Sequence, residues 1–317
     1  MMMSSCFRIL FCFCMVFFMA CSQSGETPVK VPMLQESQDL PQDASHEKPL
    51  LIGLIPEQNI FKQFERYEPM AAYISKKIGR KVELKILTRY GNIVDNFVSL
   101  QLDGAFFGSF TYALAHTKLG LEVVARPEGL NGVSTYHGRI FVRKDSGIKD
   151  IEGMKGKSFV FVDKATTAGY LLPMVYFHKH GVFDYRSYFK ETYFSGTHED
   201  AIYDVLNRKA DIGAAKNTIY DRLAKMDPAI NRDLVILAES PEVPENGLAL
   251  RSDLDATLRD KIKEVLLNMQ DDPEGRAVLH GFGAGRFIAT TTRDYDPVFR
   301  YAAEARLDWA TYNYKNE

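Results

Sequence analysis

The chain lacks most of what a catalyst needs. Of its 317 residues only four are cysteine, and all four, Cys6, Cys12, Cys14 and Cys21, fall within the first 21 positions. The remainder has no thiol, which excludes disulfides, cysteine nucleophiles and thiolate metal sites there. No Gly-x-Ser-x-Gly, His-Glu-x-x-His or paired-carboxylate signature occurs. Charge is almost balanced, 39 Lys and Arg against 41 Asp and Glu for a net −2, which argues against nucleic acid or a polyanionic surface as partner. No apolar run reaches the ~18 residues needed to span a bilayer. Three near-motifs also fail. Gly153-Met154-Lys155-Gly156-Lys157-Ser158 has Ile151 where a phosphate-binding loop needs its first Gly, and it precedes a strand instead of opening a helix. His178 and His180 are two apart on a helix, so they face different ways and suit no metal. Gly281-Phe282-Gly283-Ala284-Gly285 follows a helix and reads as a turn.

What is present is material for large cores: 46% of residues are hydrophobic, including 21 Phe and 16 Tyr, enough for one large or two medium α/β units. The fold is expected to start at Pro49. Before it, residues 1–21 read as a signal segment, with Arg8 as the basic flank and Ile9 to Met19 as the apolar stretch. Phe18-Met19-Ala20-Cys21 ends in a small residue before Cys and resembles a bacterial lipobox, so Cys21 is the expected lipidation site. Ordinary cleavage without acylation is the alternative. Residues 22–48 are rich in Ser, Gln, Glu, Asp and Pro and read as a disordered tether.

From Leu50 the pattern alternates strand and helix. Strands are expected at Leu50–Ile55, Val82–Leu87, Ala105–Phe107 and Val123–Ala125, with helices at Phe61–Ile78, Asn92–Leu102 and from Gly108 onward. A second series follows: strands at 139–143, 158–162, 189–193, 211–215 and 234–238, with helices between them. Gly247–Leu250 reads as a strand, Asp255–Met269 and Pro273–His280 as helices, and the rest as an irregular tail. Two α/β units in series, with crossings near 137–140 and 241–247, imply two lobes and a hinge.

The stretch Phe159-Val160-Phe161-Val162-Asp163-Lys164-Ala165-Thr166-Thr167-Ala168-Gly169-Tyr170 holds the strongest chemical signal. A buried strand runs through a small-residue loop into a helix that includes Pro173. The first N–H groups of a helix have no partner within it, and the helix dipole is positive there. With the Thr166 and Thr167 hydroxyls beside them, these amides suit an oxyanion without any Arg. Either Thr as a plain N-cap is the competing reading. Ser195-Gly196-Thr197-His198 and Gly108-Ser109 repeat the strand-to-helix junction, at positions where parallel sheets take ligands.

These stretches, together with Asp103-Gly104-Ala105-Phe106-Phe107-Gly108-Ser109, Arg143-Lys144-Asp145-Ser146-Gly147-Ile148, Met154-Lys155-Gly156-Lys157 and Asp271-Asp272-Pro273-Glu274-Gly275, resemble the phosphate/phosphite/phosphonate-binding proteins of ABC importers. The resemblance runs from about Leu50 to Pro297. It implies a type II periplasmic-binding-protein fold of class α/β, with two lobes, each a mainly parallel sheet flanked by helices, and two hinge crossovers. The lobes would be 49–138 completed by 242–317, and 139–241. The family's oxyanion loop, usually Ser-Thr-Ser before Gly, falls on Thr166, Thr167 and Ala168, so the third hydroxyl is missing while the Ala168 backbone N–H remains. Its ligand-facing tyrosines fall on Tyr90 and Tyr136, and its phosphonate-binding histidine on His198. Ser109 joins them at the first-lobe junction. Members that take aminoalkylphosphonates hold the amine with acidic residues. The matching stretches here are Ala215-Lys216-Asn217-Thr218 and Pro244-Glu245-Asn246-Gly247, in which Lys216 and Asn246 are not acidic and Glu245 stays open. This disfavours a zwitterionic aminophosphonate.

The resemblance therefore implies a non-enzymatic, monomeric solute receptor with no cofactor, no metal and no nucleic-acid partner. It would be exported, held on the membrane by a lipid anchor alone, and hand a small phosphorus oxyanion to an inner-membrane ABC permease. Delivery of the ligand state to a receptor kinase is one alternative, and a pyrimidine-synthesis-like enzyme of the same fold another. For the anchor, Cys21→Ala should release the protein from membranes and lower its mass by the lost acyl chains. Unmodified wild type in the soluble fraction would contradict lipidation.

Overall fold

The computed structural model of the protein describes residues 47–316. The expected signal segment, Cys21 and nearly all of the expected tether lie outside the described residues.

Thirteen strands are described. β1 (Leu50–Leu54), β2 (Val82–Ile86), β3 (Gly104–Phe107) and β4 (Glu122–Gly129) belong to one sheet. β5 (Thr135–Tyr136) is a short link, and β6 (Gly138–Arg143), β7 (Ser158–Phe161), β8 (Glu191–Phe194), β9 (Ile212–Lys216) and β10 (Leu234–Glu239) build a second sheet. β11 (Val243–Pro244) pairs antiparallel with β5, setting Val243 opposite Tyr136. β12 (Gly247–Leu250) and β13 (Ala284–Ala289) return to the first sheet.

The first sheet has the order β13-β4-β12-β3-β1-β2, the second β10-β6-β9-β7-β8. In the first, β1, β2, β3 and β4 share one direction, and β12 enters antiparallel between β3 and β4. In the second, only β6 opposes the rest. Strands such as Leu50–Leu54 and Ser158–Phe161 are apolar on both faces because helices cover both sides. Phe141, Phe159, Phe161 and Phe177 are fully buried in the second sheet's core, and Leu50, Leu54 and Phe287 in the first.

Local signals explain the helices that flank them. Asn59 caps Ile60–Ile78 by accepting from the Phe61 and Lys62 N–H groups, and Gly79 ends it at φ +74°. Tyr67, Met70, Ile74 and Ile78 are its buried face; Phe61 and Phe64, which share the apolar spacing in sequence, are exposed. Asp255 caps Ala256–Leu267 by accepting from the Leu258 N–H.

The C-terminal region departs from the irregular tail expected. Ala284–Ala289 forms β13, the edge strand beside β4, where Arg286 makes a two-point ion pair with Glu128. Asp296–Glu304 is a helix packed against Ser109–Leu119 and Leu172–Lys179. β13 is short and contains Gly285, so its pairing with β4 decides its conformation, whereas the helix carries signals of its own, Pro297 in its first turn and buried Val298, Tyr301 and Ala302 at helical spacing. The last residues reach the loop after β7: the Tyr312 hydroxyl donates to the Lys164 carbonyl at 2.7 Å, and the Asn316 amide to Asp163 at 2.8 Å.

That loop is tightly packed. After β7 the chain makes one wide helical turn, Thr167–Leu171, before the α-helix Leu172–Lys179. Pro173 supplies the reason. It has no N–H to bond the Gly169 carbonyl four residues back, and that carbonyl accepts from the Val162 N–H at 3.1 Å. A Cβ on Gly169 would lie 2.4 Å from that of Val162, so only glycine lets the turn sit on the strand. Gly169→Ala should therefore cost about 1–3 kcal/mol of stability by overpacking. Chemical denaturation checks this, and an unchanged midpoint would contradict the packing described.

Candidate functional site

The carboxyl ends of β1, β3, β7, β8 and β9 point at one small cavity. Its walls are Ile55 and Glu57 after β1, Tyr90 after β2, and Gly108, Phe110 and Thr111 at the start of helix Ser109–Leu119. Ala165, Thr166 and Thr167 come from the loop after β7, His198 from the start of helix His198–Leu206, and Lys216 from the end of β9. Tyr136 and Asn246 come from the links between the sheets. The walls enclose about 10 Å³, room for about one water.

The two sheets' helix starts meet across this space. The Phe110 N–H donates to Thr167 Oγ1 at 3.1 Å, and the His198 N–H to the Glu57 carbonyl at 3.3 Å. Thr166 and Thr167 are both buried, and neither side chain caps its own helix; Thr166 Oγ1 donates to the Asp163 carbonyl at 2.6 Å. Asp163 shapes the loop from behind by accepting from the Ala165 N–H at 2.8 Å. Burial raises its carboxyl pKa, while the bonds from Ala165 and Asn316 act the other way.

Tyr90 is 2% exposed, and its hydroxyl has no hydrogen-bond partner among the described residues. A buried hydroxyl in that state needs an explanation, and a polar guest in the cavity is one. The Tyr90 ring stands edge-on to His198 with centroids 6.0 Å apart.

His198 is a neutral donor. Burial lowers its pKa to about 3, against the opposing pull of Glu57. Its Nδ1 accepts the Lys216 backbone N–H at 3.3 Å, which assigns the ring proton to Nε2. A neutral imidazole of this tautomer can offer one N–H to an anion at any ordinary pH.

Beside it sits a buried ionic group. Lys216 Nζ contacts Glu57 Oε1 at 3.2 Å, Glu245 Oε2 at 2.6 Å and Asn246 Oδ1 at 3.1 Å. Burial alone would raise the Glu57 carboxyl; Lys216, then Arg66, outweigh it and hold the pKa at about 2. Burial alone would lower the Lys216 ammonium; Glu245 and Glu57 outweigh it and raise the pKa. Both groups are therefore charged.

Of the residues singled out in the sequence, Tyr90, Tyr136, Thr166, Thr167 and His198 share the cavity wall. Ser109 lies behind it, fully buried, with Oγ 2.6 Å from the Pro244 carbonyl and 3.0 Å from the Tyr136 hydroxyl. Ala168 is buried beside Gly138, and its side chain is not part of the wall. Cys21 lies outside the described residues. The sequence reading missed Glu57, although Ile55-Pro56-Glu57 follows a parallel strand, the position where such sheets take ligands.

Comparison with known proteins agrees with this architecture. Residues 52–295 match the model of the family described as ABC transporter, phosphonate, periplasmic substrate-binding protein. The chain is 27% identical to the phosphonates-binding periplasmic protein of Escherichia coli (strain K12), over 81% of this chain and 76% of that protein. It is 24% identical to a probable ABC transporter phosphite-binding protein of Prochlorococcus marinus (strain MIT 9301), over 79% of this chain and 88% of that one. Among solved structures, a binding-protein component of an ABC phosphonate transporter from Pseudomonas aeruginosa superposes with a TM-score of 0.76 at 23% identity, over 82% of this chain and 87% of that one. At that identity the superposition speaks for the two-lobed fold alone. The chain belongs to the family of periplasmic phosphonate substrate-binding proteins of ABC transporters. Members of that family are exported binding proteins, not enzymes, and the enzyme alternative falls away.

The His198 geometry makes a pH prediction. Between its ordinary pKa of 6.5 and the folded value of about 3, the unfolded chain takes up a proton that the folded one refuses. His198 should therefore subtract stability progressively as pH falls below 6.5, and nothing above it. Its ring resonances in an NMR titration should stay constant from about pH 8 to 5; a midpoint inside that window would contradict the buried neutral donor.

Proposed function

We propose that this chain captures a phosphorus oxyanion, namely phosphate, phosphite or a small phosphonate, between its two lobes and delivers it to the permease of an ABC importer. The observation that carries the reading is the Tyr90 hydroxyl, buried and unpartnered on the wall where three helix starts converge. An oxyanion there would accept from Tyr90, from the Thr167 hydroxyl, from His198 Nε2 and from the amides that open Ser109–Leu119 and Thr167–Leu171. The proposed roles of Ser109 and Ala168 are indirect: Ser109 holds the Tyr136 hydroxyl, and Ala168 offers only backbone. Each bond to a charged group contributes about 1.5–3 kcal/mol. Four or five of them reach micromolar affinity after the costs of association, without an arginine.

The named ligands of relatives point the same way. The E. coli and P. marinus relatives are named for phosphonates and phosphite, and a neighbour from P. marinus was solved with methylphosphonate, at 22% identity and a TM-score of 0.73. With room for about one water in the cavity, entry of a ligand requires the lobes to part. We assign the lobes to 49–138 with 242–317, and to 139–241, with the β5–β11 links as the hinge. The same reading has the protein tethered through acylated Cys21 and working as a monomer.

Tyr90→Phe tests the site. It removes the unpartnered hydroxyl, so stability of the ligand-free protein should hold or rise slightly. Affinity for the phosphorus oxyanions that wild type binds should fall about 10- to 100-fold in isothermal titration. Thr166→Asp should abolish binding by setting a carboxylate against the anion. Wild-type affinity in both variants would overturn the assignment of this cavity.

A further inference from the structure

The Lys216 group is more than a salt bridge behind the site. An ammonium has three N–H donors, and Lys216 has three acceptors: Glu57, Glu245 and Asn246. Its Nζ also lies 4.3 Å from the centre of the Tyr136 ring. Oxygen and aromatic face thus surround the ammonium, which leaves it no donor for an anion in the cavity. The lysine side chain is 4% exposed, and those of Glu57 and Glu245 are 6% and 16% exposed. The arrangement is a built receptor for one organic ammonium, and it adjoins the oxyanion donors in one cavity wall.

We propose that Lys216 supplies, as part of the chain, the ammonium that a zwitterionic phosphonate would otherwise bring, so that the site admits only phosphorus oxyanions without a cationic tail. The inference rests on the oxyanion reading of the cavity given above. Chemistry and size both fit. Truncating Lys216 to alanine removes three methylenes and an ammonium; the tail of 2-aminoethylphosphonate is two methylenes and an ammonium. With Lys216 in place, that tail meets carboxylates already paired and a like charge in the position it needs. The Lys216–Glu57 contact also joins the second sheet to the first, so the tethered cation makes the cross-lobe bond that a ligand amine would make.

The test is isothermal titration of the full chain with phosphate, phosphite, methylphosphonate and 2-aminoethylphosphonate. Wild type should bind at least one of the first three, and 2-aminoethylphosphonate at least about 100-fold more weakly, the loss expected when charged groups are left wrongly paired. Lys216→Ala should gain at least about tenfold for 2-aminoethylphosphonate and prefer it to methylphosphonate. Removing one partner from a buried ionic group is destabilising, so Lys216→Ala with Glu245→Gln serves as the second variant. It keeps Glu57 as the amine acceptor and restores the wild-type net charge of the group. Its gain for 2-aminoethylphosphonate should be in the same direction.

If wild type binds 2-aminoethylphosphonate as tightly as methylphosphonate, the proposal is wrong, whatever the variants do. It is equally wrong if a folded variant still binds the tail-less ligands and shows no gain for the amine. If wild type binds none of the four, the oxyanion reading itself fails, an outcome separate from either of these.

Discussion

Unpaired N–H groups at helix starts are the constraint on which the rest of the structure depends. A parallel strand delivers the chain to one edge of its sheet, and the next helix begins there with amides that its own turns cannot satisfy. β3, β7 and β8 each do this at the same cavity, two of them from one lobe and one from the other. The bond from the Phe110 N–H to Thr167 Oγ1 shows the two sides seeking acceptors in each other. An oxyanion placed between them would serve both at once, and this is why such a site works with neutral donors. Gly169 and Pro173 keep the second-lobe turn close against its strand.

Charge follows the same logic. Burial keeps His198 neutral, so its free N–H can donate without titrating. Among the described residues, the one buried cation in the wall, Lys216, is spent on Glu57 and Glu245. On the proposed reading, discrimination would rest on shape and hydrogen-bond count, with the tethered ammonium deciding which tails fit.

Much of this was legible in the residues. Tyr90, Tyr136, Thr166, Thr167 and His198, picked from strand-to-helix junctions and a family resemblance, line one cavity. Junction chemistry is local, so it shows in a short window. Ser109 and Ala168 came from the same junctions but sit behind the wall, because a window of sequence gives neighbours along the chain and not the direction of a side chain. Glu57 escaped notice since a lone acidic residue after a strand looks like any solvated loop; its meaning comes from Lys216, 159 residues away. β13 was unreadable for a similar reason, its order being set by β4; the helix Asp296–Glu304 was legible, with Pro297 at its start and Val298, Tyr301 and Ala302 at helical spacing, and was passed over. Lys216 itself was visible as a departure from an acidic pattern, but its pairing with Glu57, Glu245 and Asn246 was not.

The most direct measurement is a crystal structure of the protein with methylphosphonate. The expected result is the phosphonate oxygens within hydrogen-bond distance of the Tyr90 hydroxyl, His198 Nε2 and the Thr167 hydroxyl, with the methyl group directed toward the Lys216 group. A phosphonate bound elsewhere, with the Tyr90 hydroxyl still unpartnered, would contradict the account.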